Sequence, residues 1–345
     1  MGLYDEIQQQ PGVLQRLIDN QAVNIETIAR AINQSGIRYV FLAARGTSDN
    51  AGLYAKYLLG SFNRLPIALA TPSLFSLYGT PPLLKDSLVV GISQSGQSPD
   101  INCVLEEGKH QGALTLAITN SPGSPLGQQA DFLIDISAGA ETSVAATKTY
   151  TAQLLSIALL SAALRADAGL MDVIRRTPEL AARTLQENAA IQGQVERYTY
   201  MTHCVVLGRG YNYATAFEWS LKLKELSYVI AEPYSSADFQ HGPIAIVEPR
   251  FPVLAVMPSG MVYADMLRLL EQMHATHKVE LVIISNEVEA LKLANTPLVL
   301  PADVPEWISP VVSILPAQLF CYYLTLARGF DPDSPRGLRK VTETW

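Results

Sequence analysis

The stretch Ser87-Leu88-Val89-Val90-Gly91-Ile92-Ser93-Gln94-Ser95-Gly96-Gln97-Ser98-Pro99-Asp100 decides the architecture. An apolar, β-branched run stops abruptly at small hydroxyl residues and a glycine. The helix-compatible Asp100-Ile101-Asn102-Cys103-Val104-Leu105 follows, so the segment reads as strand, tight loop and helix start. A loop of that kind suits an anion. Helix amides aim at the ligand, the serines at 93, 95 and 98 can donate hydrogen bonds, and Gly96 lets the backbone approach closely. With no Lys or Arg among them, these donors would hold a phosphate through neutral groups. The same residues also make an ordinary capped strand-to-helix turn, in which the serines satisfy orphan amides. The segment alone leaves both readings open.

The pattern recurs on either side of this loop. Tyr39 to Ala44 is a buried-type strand that runs into Arg45-Gly46-Thr47-Ser48-Asp49-Asn50, after which Ala51 to Leu59 returns to helical spacing. Shorter apolar runs at Pro66 to Ala70, Ala113 to Ile118 and Asp131 to Ile136 are bounded by Gly, Pro, Asn or Ser. Strands alternating with helices predict an α/β fold with a parallel sheet covered on both faces. In such a sheet the ligand lies beyond the carboxyl ends of the strands, where both polar loops fall. Residues 1–38 carry helical spacing (Val13, Leu14, Leu17, Ile18, Ile25, Ile28, Ala29, Ile32) and form an amphipathic lead-in. Residues 148–167 form a long apolar helix, and 170–198 a more polar connector.

Then the order begins again. His203 to Leu207 runs into Gly208-Arg209-Gly210, and Phe251 to Met257 into Pro258-Ser259-Gly260-Met261, in the place of Ser93 to Gly96. Glu280 to Ser285 and Thr296 to Leu300 echo the later strands, and Ile308 to Phe330 repeats the long apolar helix. An internal duplication with a period of about 160 residues follows, too long for a solenoid and right for tandem domains. The second copy has lost its serines and makes a poor phosphate loop, so the halves divide the labour. The expected organisation is a helical lead-in at 1–38, a first domain at 39–168, a connector at 169–198, a second domain at 199–330 and a tail at 331–345.

Composition narrows the function. The chain has 345 residues, 48% hydrophobic and 17% charged, enough apolar material for two cores. A net charge of −7 with no Lys/Arg cluster argues against a nucleic-acid surface. The cysteines at 103, 204 and 321 make neither a disulfide framework nor a metal knuckle, and each sits in an apolar run as a core residue. His110, His203, His274 and His277 lack metal-ligand spacing, and neither HExxH nor a complete GxGxxG occurs. The N-terminus lacks signal-peptide features and no apolar run reaches the length of a membrane span, so a cytoplasmic protein without membrane contact is expected.

Three further segments carry candidate chemistry. Gly139 to Lys148 joins the last strand of the first half to its long helix, with Glu141 placed to favour the helix dipole. Glu218, Lys222 and Glu225 stand at i, i+4 and i+7 on one helix face, which by itself describes a solvated salt-bridged stripe. Glu232 to Pro243 is a polar loop holding His241 beside Gly242-Pro243, a candidate general acid or base or an ordinary surface residue.

Taken together, these segments resemble the sugar isomerase (SIS) domain family, in particular the isomerase half of glucosamine-6-phosphate synthase. The resemblance rests on Arg45-Gly46-Thr47-Ser48, Ser93-Gln94-Ser95-Gly96, Val144-Ala145-Ala146-Thr147-Lys148, Leu207-Gly208-Arg209-Gly210, Leu221-Lys222-Leu223-Lys224-Glu225, His241-Gly242-Pro243 and Pro335-Arg336-Gly337-Leu338-Arg339-Lys340-Val341-Thr342. It implies two tandem SIS domains, each a three-layer α/β/α sandwich with a mainly parallel, flavodoxin-like five-stranded sheet. It makes Thr47, Ser48, Ser93, Gln94, Ser95 and Ser98 sugar-phosphate binders, with Glu141, Val144 and Ala146 lining the site. Glu225 becomes the acid–base that moves a proton between C1 and C2, and Lys222 a further catalytic residue. His241 would assist ring opening from the neighbouring subunit of a homodimer, and Lys340 would form an imine with the keto sugar. No cofactor and no metal are implied.

Departures from the synthase pattern point further. No glutaminase domain precedes the matched region, so glutamine is not expected to supply ammonia within this chain, and Ala146 stands where the synthase has a serine. Gln97-Ser98-Pro99-Asp100, Ala145 to Lys148 and Tyr234 to Phe239 look more like stand-alone, synthase-like deaminases. The expected activity is conversion of glucosamine 6-phosphate to fructose 6-phosphate and ammonia. A fructosamine-6-phosphate deglycase and a non-catalytic sugar-phosphate-binding SIS protein stand as alternatives.

Overall fold

The computed structural model describes residues 2–340. Met1 and residues 341–345, among them Val341 and Thr342 of the tail motif, lie outside the described residues. The chain forms two compact units. One comprises residues 12–141, 148–176 and 339–340, and the other residues 2–11, 142–147 and 177–338.

The first unit is built on five strands: β1 (Tyr39–Ala43), β2 (Ile67–Leu69), β3 (Ser87–Ser93), β4 (Leu114–Thr119) and β5 (Phe132–Asp135). They pair in the order β2-β1-β3-β4-β5 and every pairing is parallel. This 2-1-3-4-5 order is the flavodoxin-like one, with its topological switch point between β1 and β3. Strand β3 is buried at every position, as its unbroken apolar character requires of a strand covered on both faces. One face packs Phe41, Val89 and Ala117 against Ile101, Val104 and Leu105 of helix Pro99–His110. Elsewhere in the unit, helices Thr47–Asn63 and Lys148–Arg165 are joined by Asn63 and Ser161, which exchange two hydrogen bonds of 2.7 and 3.0 Å.

The second unit repeats the plan with β6 (His203–Gly208), β7 (Ile230–Ser235), β8 (Pro252–Val256), β9 (Glu280–Ser285) and β10 (Thr296–Val299), again all parallel. Their order, β10-β9-β8-β6-β7, is the same topology read from the other edge, with the switch point between β6 and β8. The tandem α/β expectation therefore holds in both halves. Its core gathers Val205, Leu207, Val253, Ala255, Leu281 and Ile283 from the strands with Met266, Leu270 and Met273 from helix Tyr263–His277.

Helix Ser309–Ala327 is long and apolar enough to cross a membrane by length and composition, contrary to the expectation that no run is. It is a core helix here, with Phe320 packed edge-on to Trp219 at 5.7 Å and against Tyr198 at 5.4 Å between ring centroids. Among the cysteines, Cys204 and Cys321 are buried, but Cys103 is only half-buried and so is not the core residue expected.

Candidate active site

The strand-end loops of the first unit behave as their residue types suggest. Ser93 closes β3 and is buried; its Oγ accepts the Gly96 amide at 3.1 Å, and Ser95 Oγ accepts the Gln97 amide at 3.3 Å. The turn-forming role of the serines is thus present, but a hydroxyl that accepts one N–H keeps its own hydrogen for an outside acceptor. Ser98 stands at the N-cap of helix Pro99–His110 without its side chain making the cap bond. Gly96 has φ +64°, and a Cβ there would fall 1.9 Å from Ser124 Oγ, so only glycine fits. Thr47 opens the helix after β1, and Arg45 Nε donates to the fully buried Asp100 carboxylate at 2.7 Å, tying the two switch-point loops together. Ser48 is turned inward, where its Oγ accepts from Gln153 Nε2 at 3.0 Å. Gln94 is half-buried within the loop.

Glu141 and Lys340 meet in the same unit. The buried Glu141 carboxylate accepts the Thr149 amide at 3.1 Å and Thr149 Oγ1 at 2.8 Å, and Lys340 Nζ lies 2.8 Å from its Oε2. Lys148, next in the loop, donates from Nζ to the Ala140 carbonyl at 2.6 Å.

In the second unit the acidic–basic helix face is the reverse of a solvated stripe. Glu218 is fully buried, Lys222 is 1% exposed, and Lys222 Nζ stands 3.3 Å from Glu218 Oε1 and 2.5 Å from Glu225 Oε2. Burial opposes a charged amine, but the two carboxylates outweigh it and push the Lys222 pKa above its ordinary value. The α-helix Tyr213–Lys222 widens into a π-helical turn over Leu223–Ser227, and Tyr228 ends it in the left-handed region at φ 56°. Such turns are uncommon and recur at functional sites. Here the wider turn carries Glu225, whose side chain stays partly exposed while its two partners are sealed. Sequence spacing placed Glu218 on this face without assigning it a role; its signal was its position four residues before Lys222 in an otherwise apolar helix.

His241 is exposed on the turn after the short helix Ser236–Phe239, its amide donating to the Asp238 carbonyl at 3.0 Å. Val144 and Ala146 lie half-buried in the segment 142–147 of this unit. Glu6, which no motif marks as structural, holds the start of that segment. Its Oε1 accepts the amides of Thr142 at 2.5 Å and Ser143 at 3.3 Å, although the side chain is fully buried.

These features define a class: tandem doubly wound α/β domains, the first with a hydroxyl-lined strand-end loop and the second with a buried carboxylate–ammonium–carboxylate cluster. The chain belongs to the SIS domain family, whose model matches residues 35–163 and 201–328. It is 34% identical over 305 residues to glutamine–fructose-6-phosphate aminotransferase (isomerizing) of Aquifex aeolicus, a match that covers 88% of this chain and 51% of that protein. The enzyme of the same name from Mycobacterium leprae is 36% identical over 314 residues, covering 87% and 50% respectively. The chain thus spans about half the length of these curated relatives. Among solved structures, the C-terminal domain of glucosamine-fructose-6-phosphate aminotransferase from Francisella tularensis superposes with a TM-score of 0.88 at 29% identity, covering 96% of this chain and 98% of that one. Glucosamine-6-phosphate deaminase from Thermotoga maritima shares the fold, with a TM-score of 0.77 at 20% identity over 99% of both chains.

Proposed function

We propose that this protein is an amino-sugar-phosphate deaminase/isomerase acting on glucosamine 6-phosphate. The observation that carries the reading is the cluster around Lys222: a half-exposed Glu225 carboxylate beside an ammonium that a second, sealed carboxylate balances. An aldose–ketose proton shift needs one carboxylate over two adjacent carbons, held ionised and in place by a fixed cation. The phosphate is gripped by Thr47, Ser93, Gln94, Ser95 and Ser98, with Glu141, Val144 and Ala146 lining the site and Ser48 supporting the loop from behind. His241, contributed by the neighbouring subunit of a homodimer, assists ring opening.

Glu225 then takes the proton from C2 of the open-chain sugar and returns it to C1, leaving an imine at C2. Attack by the neutral amine of Lys340 on that carbon expels ammonia and leaves an imine to the lysine. Water hydrolyses it to fructose 6-phosphate and frees the amine. The test is to incubate the purified protein with glucosamine 6-phosphate and, separately, with fructose-lysine 6-phosphate. Free ammonia from the first is the expected result. Free lysine from the second would select the deglycase, and tight binding without turnover of either a sugar-phosphate sensor.

A further inference from the structure

The second unit has a switch-point crevice of its own, between β6 and β8, and a side chain of this chain stands against the loops at its mouth. Two glycine-bearing loops flank it: Gly208-Arg209-Gly210 after β6 and Pro258-Ser259-Gly260 after β8. The Glu306 carboxylate, carried by the segment before helix Ser309–Ala327, reaches into both. Its Oε2 accepts the Met261 amide at 2.9 Å, and a Cβ on Gly260 would lie 2.4 Å from the same oxygen. A Cβ on Gly210 would come within 4.0 Å of Oε1. The neighbouring donor is also committed, since the Ser259 amide gives to Asn286 Oδ1 at 2.7 Å. Arg209, the one cation of these loops, is turned to Asp265 at 3.5 Å.

In the first unit the corresponding carboxylate, Glu141, also lies between the last strand and the long helix, but it is turned toward Thr149 and Lys340. Its strand-end loop is left to its serines. Ligands of doubly wound sheets bind at this crevice, where backbone amides favour a negative group. The Glu306 carboxylate takes up the Met261 amide there, and its charge repels any second anion.

We infer that Glu306 is a resident anion that occupies the second unit's phosphate-type crevice, so that each chain takes a phosphorylated ligand only at its first loop. The part that concerns the first loop rests on the function proposed above; the part that concerns Glu306 does not.

Equilibrium dialysis of the full chain with labelled inorganic phosphate tests both separately. The expected result is at most one equivalent per wild-type chain, lost in Ser95→Ala, and one further equivalent in Glu306→Ala that persists in the double variant. Wild-type stoichiometry in a folded Glu306→Ala protein overturns the inference about Glu306. Binding that ignores Ser95→Ala overturns only the reading of the first loop. Should Glu306→Ala fail to fold, Glu306→Ser carries the same two outcomes. Hydrogen exchange supplies an independent check: the Met261 amide should be protected in the wild type, exchange at least tenfold faster without Glu306, and slow again on adding phosphate. An unprotected Met261 amide in the wild type would overturn the inference outright.

Discussion

Lys340 Nζ lies 2.8 Å from Glu141 Oε2, joining two residues 199 positions apart in the chain. In the reaction proposed above the imine forms at this amine, so the Glu141 contact holds the tail lysine in a defined place beforehand. Borohydride added with fructose 6-phosphate should trap the wild type irreversibly and leave Lys340→Arg, which keeps the pair but cannot form an imine, untouched. Glu141→Gln should trap about 10- to 100-fold more slowly, the scale expected when a reacting group is misplaced by about an ångström. Trapping of Lys340→Arg at the wild-type rate would assign the imine to another lysine.

In the proposed mechanism Glu225→Gln removes the proton acceptor while keeping the side chain's shape. Turnover should fall by ~10²–10⁴-fold, the usual contribution of a general base, with sugar-phosphate affinity within about threefold of wild type. Steady-state kinetics with direct binding measurements separates the two. Equal losses in rate and affinity would give Glu225 a binding role instead.

The buried cluster makes stability pH-dependent at the alkaline end. The Lys222 pKa is raised in the folded protein above its ordinary 10.5. Its stabilising contribution is therefore complete below pH 10.5 and is lost as pH rises through the higher folded value. Tyr198, whose pKa burial pushes up to about 12 from 10, also stays neutral in the fold while the unfolded chain ionises. Urea unfolding midpoints should therefore fall steeply above pH 10. Lys222→Met leaves Glu218 and Glu225 without their cation and should cost about 3–5 kcal/mol at pH 7, the scale for breaking a buried pair. A loss under 1 kcal/mol would mean that the buried cluster contributes little to stability.

Glu6→Ala should loosen the segment that begins at Thr142. Two backbone amides lose a buried acceptor, at a cost of about 1–3 kcal/mol. Glu6→Gln, which keeps one oxygen for those amides, should recover most of it in thermal unfolding. Equal destabilisation by both variants would show that the negative charge, not the acceptor, matters.

Gly96→Ala should damage the loop through its backbone, without removing any hydroxyl. The new methyl falls 1.9 Å from Ser124 Oγ, and φ +64° is unfavourable for alanine. An expected rise in KM of tenfold or more, with a smaller fall in kcat, would register displacement of the phosphate grip. An unchanged KM would remove Gly96 from that role.

The amino-acid order alone determined the two α/β halves, the mainly parallel character of their sheets and the positions of both strand-end loops. Those features follow from local patterns: apolar runs such as Ser87 to Ile92 cut off by Ser and Gly can close only as buried strands entering tight turns. Tertiary structure decided what the charged residues do. Spacing made Glu218, Lys222 and Glu225 neighbours on a helix, but the fold buried the first two and put the third on a π-helical turn. Glu6 on Thr142, Lys340 on Glu141 and Glu306 on Met261 join positions 136, 199 and 45 residues apart. A buried carboxylate takes its role from the partners that replace water around it, and chain folding, with no local rule of sequence, chooses those partners.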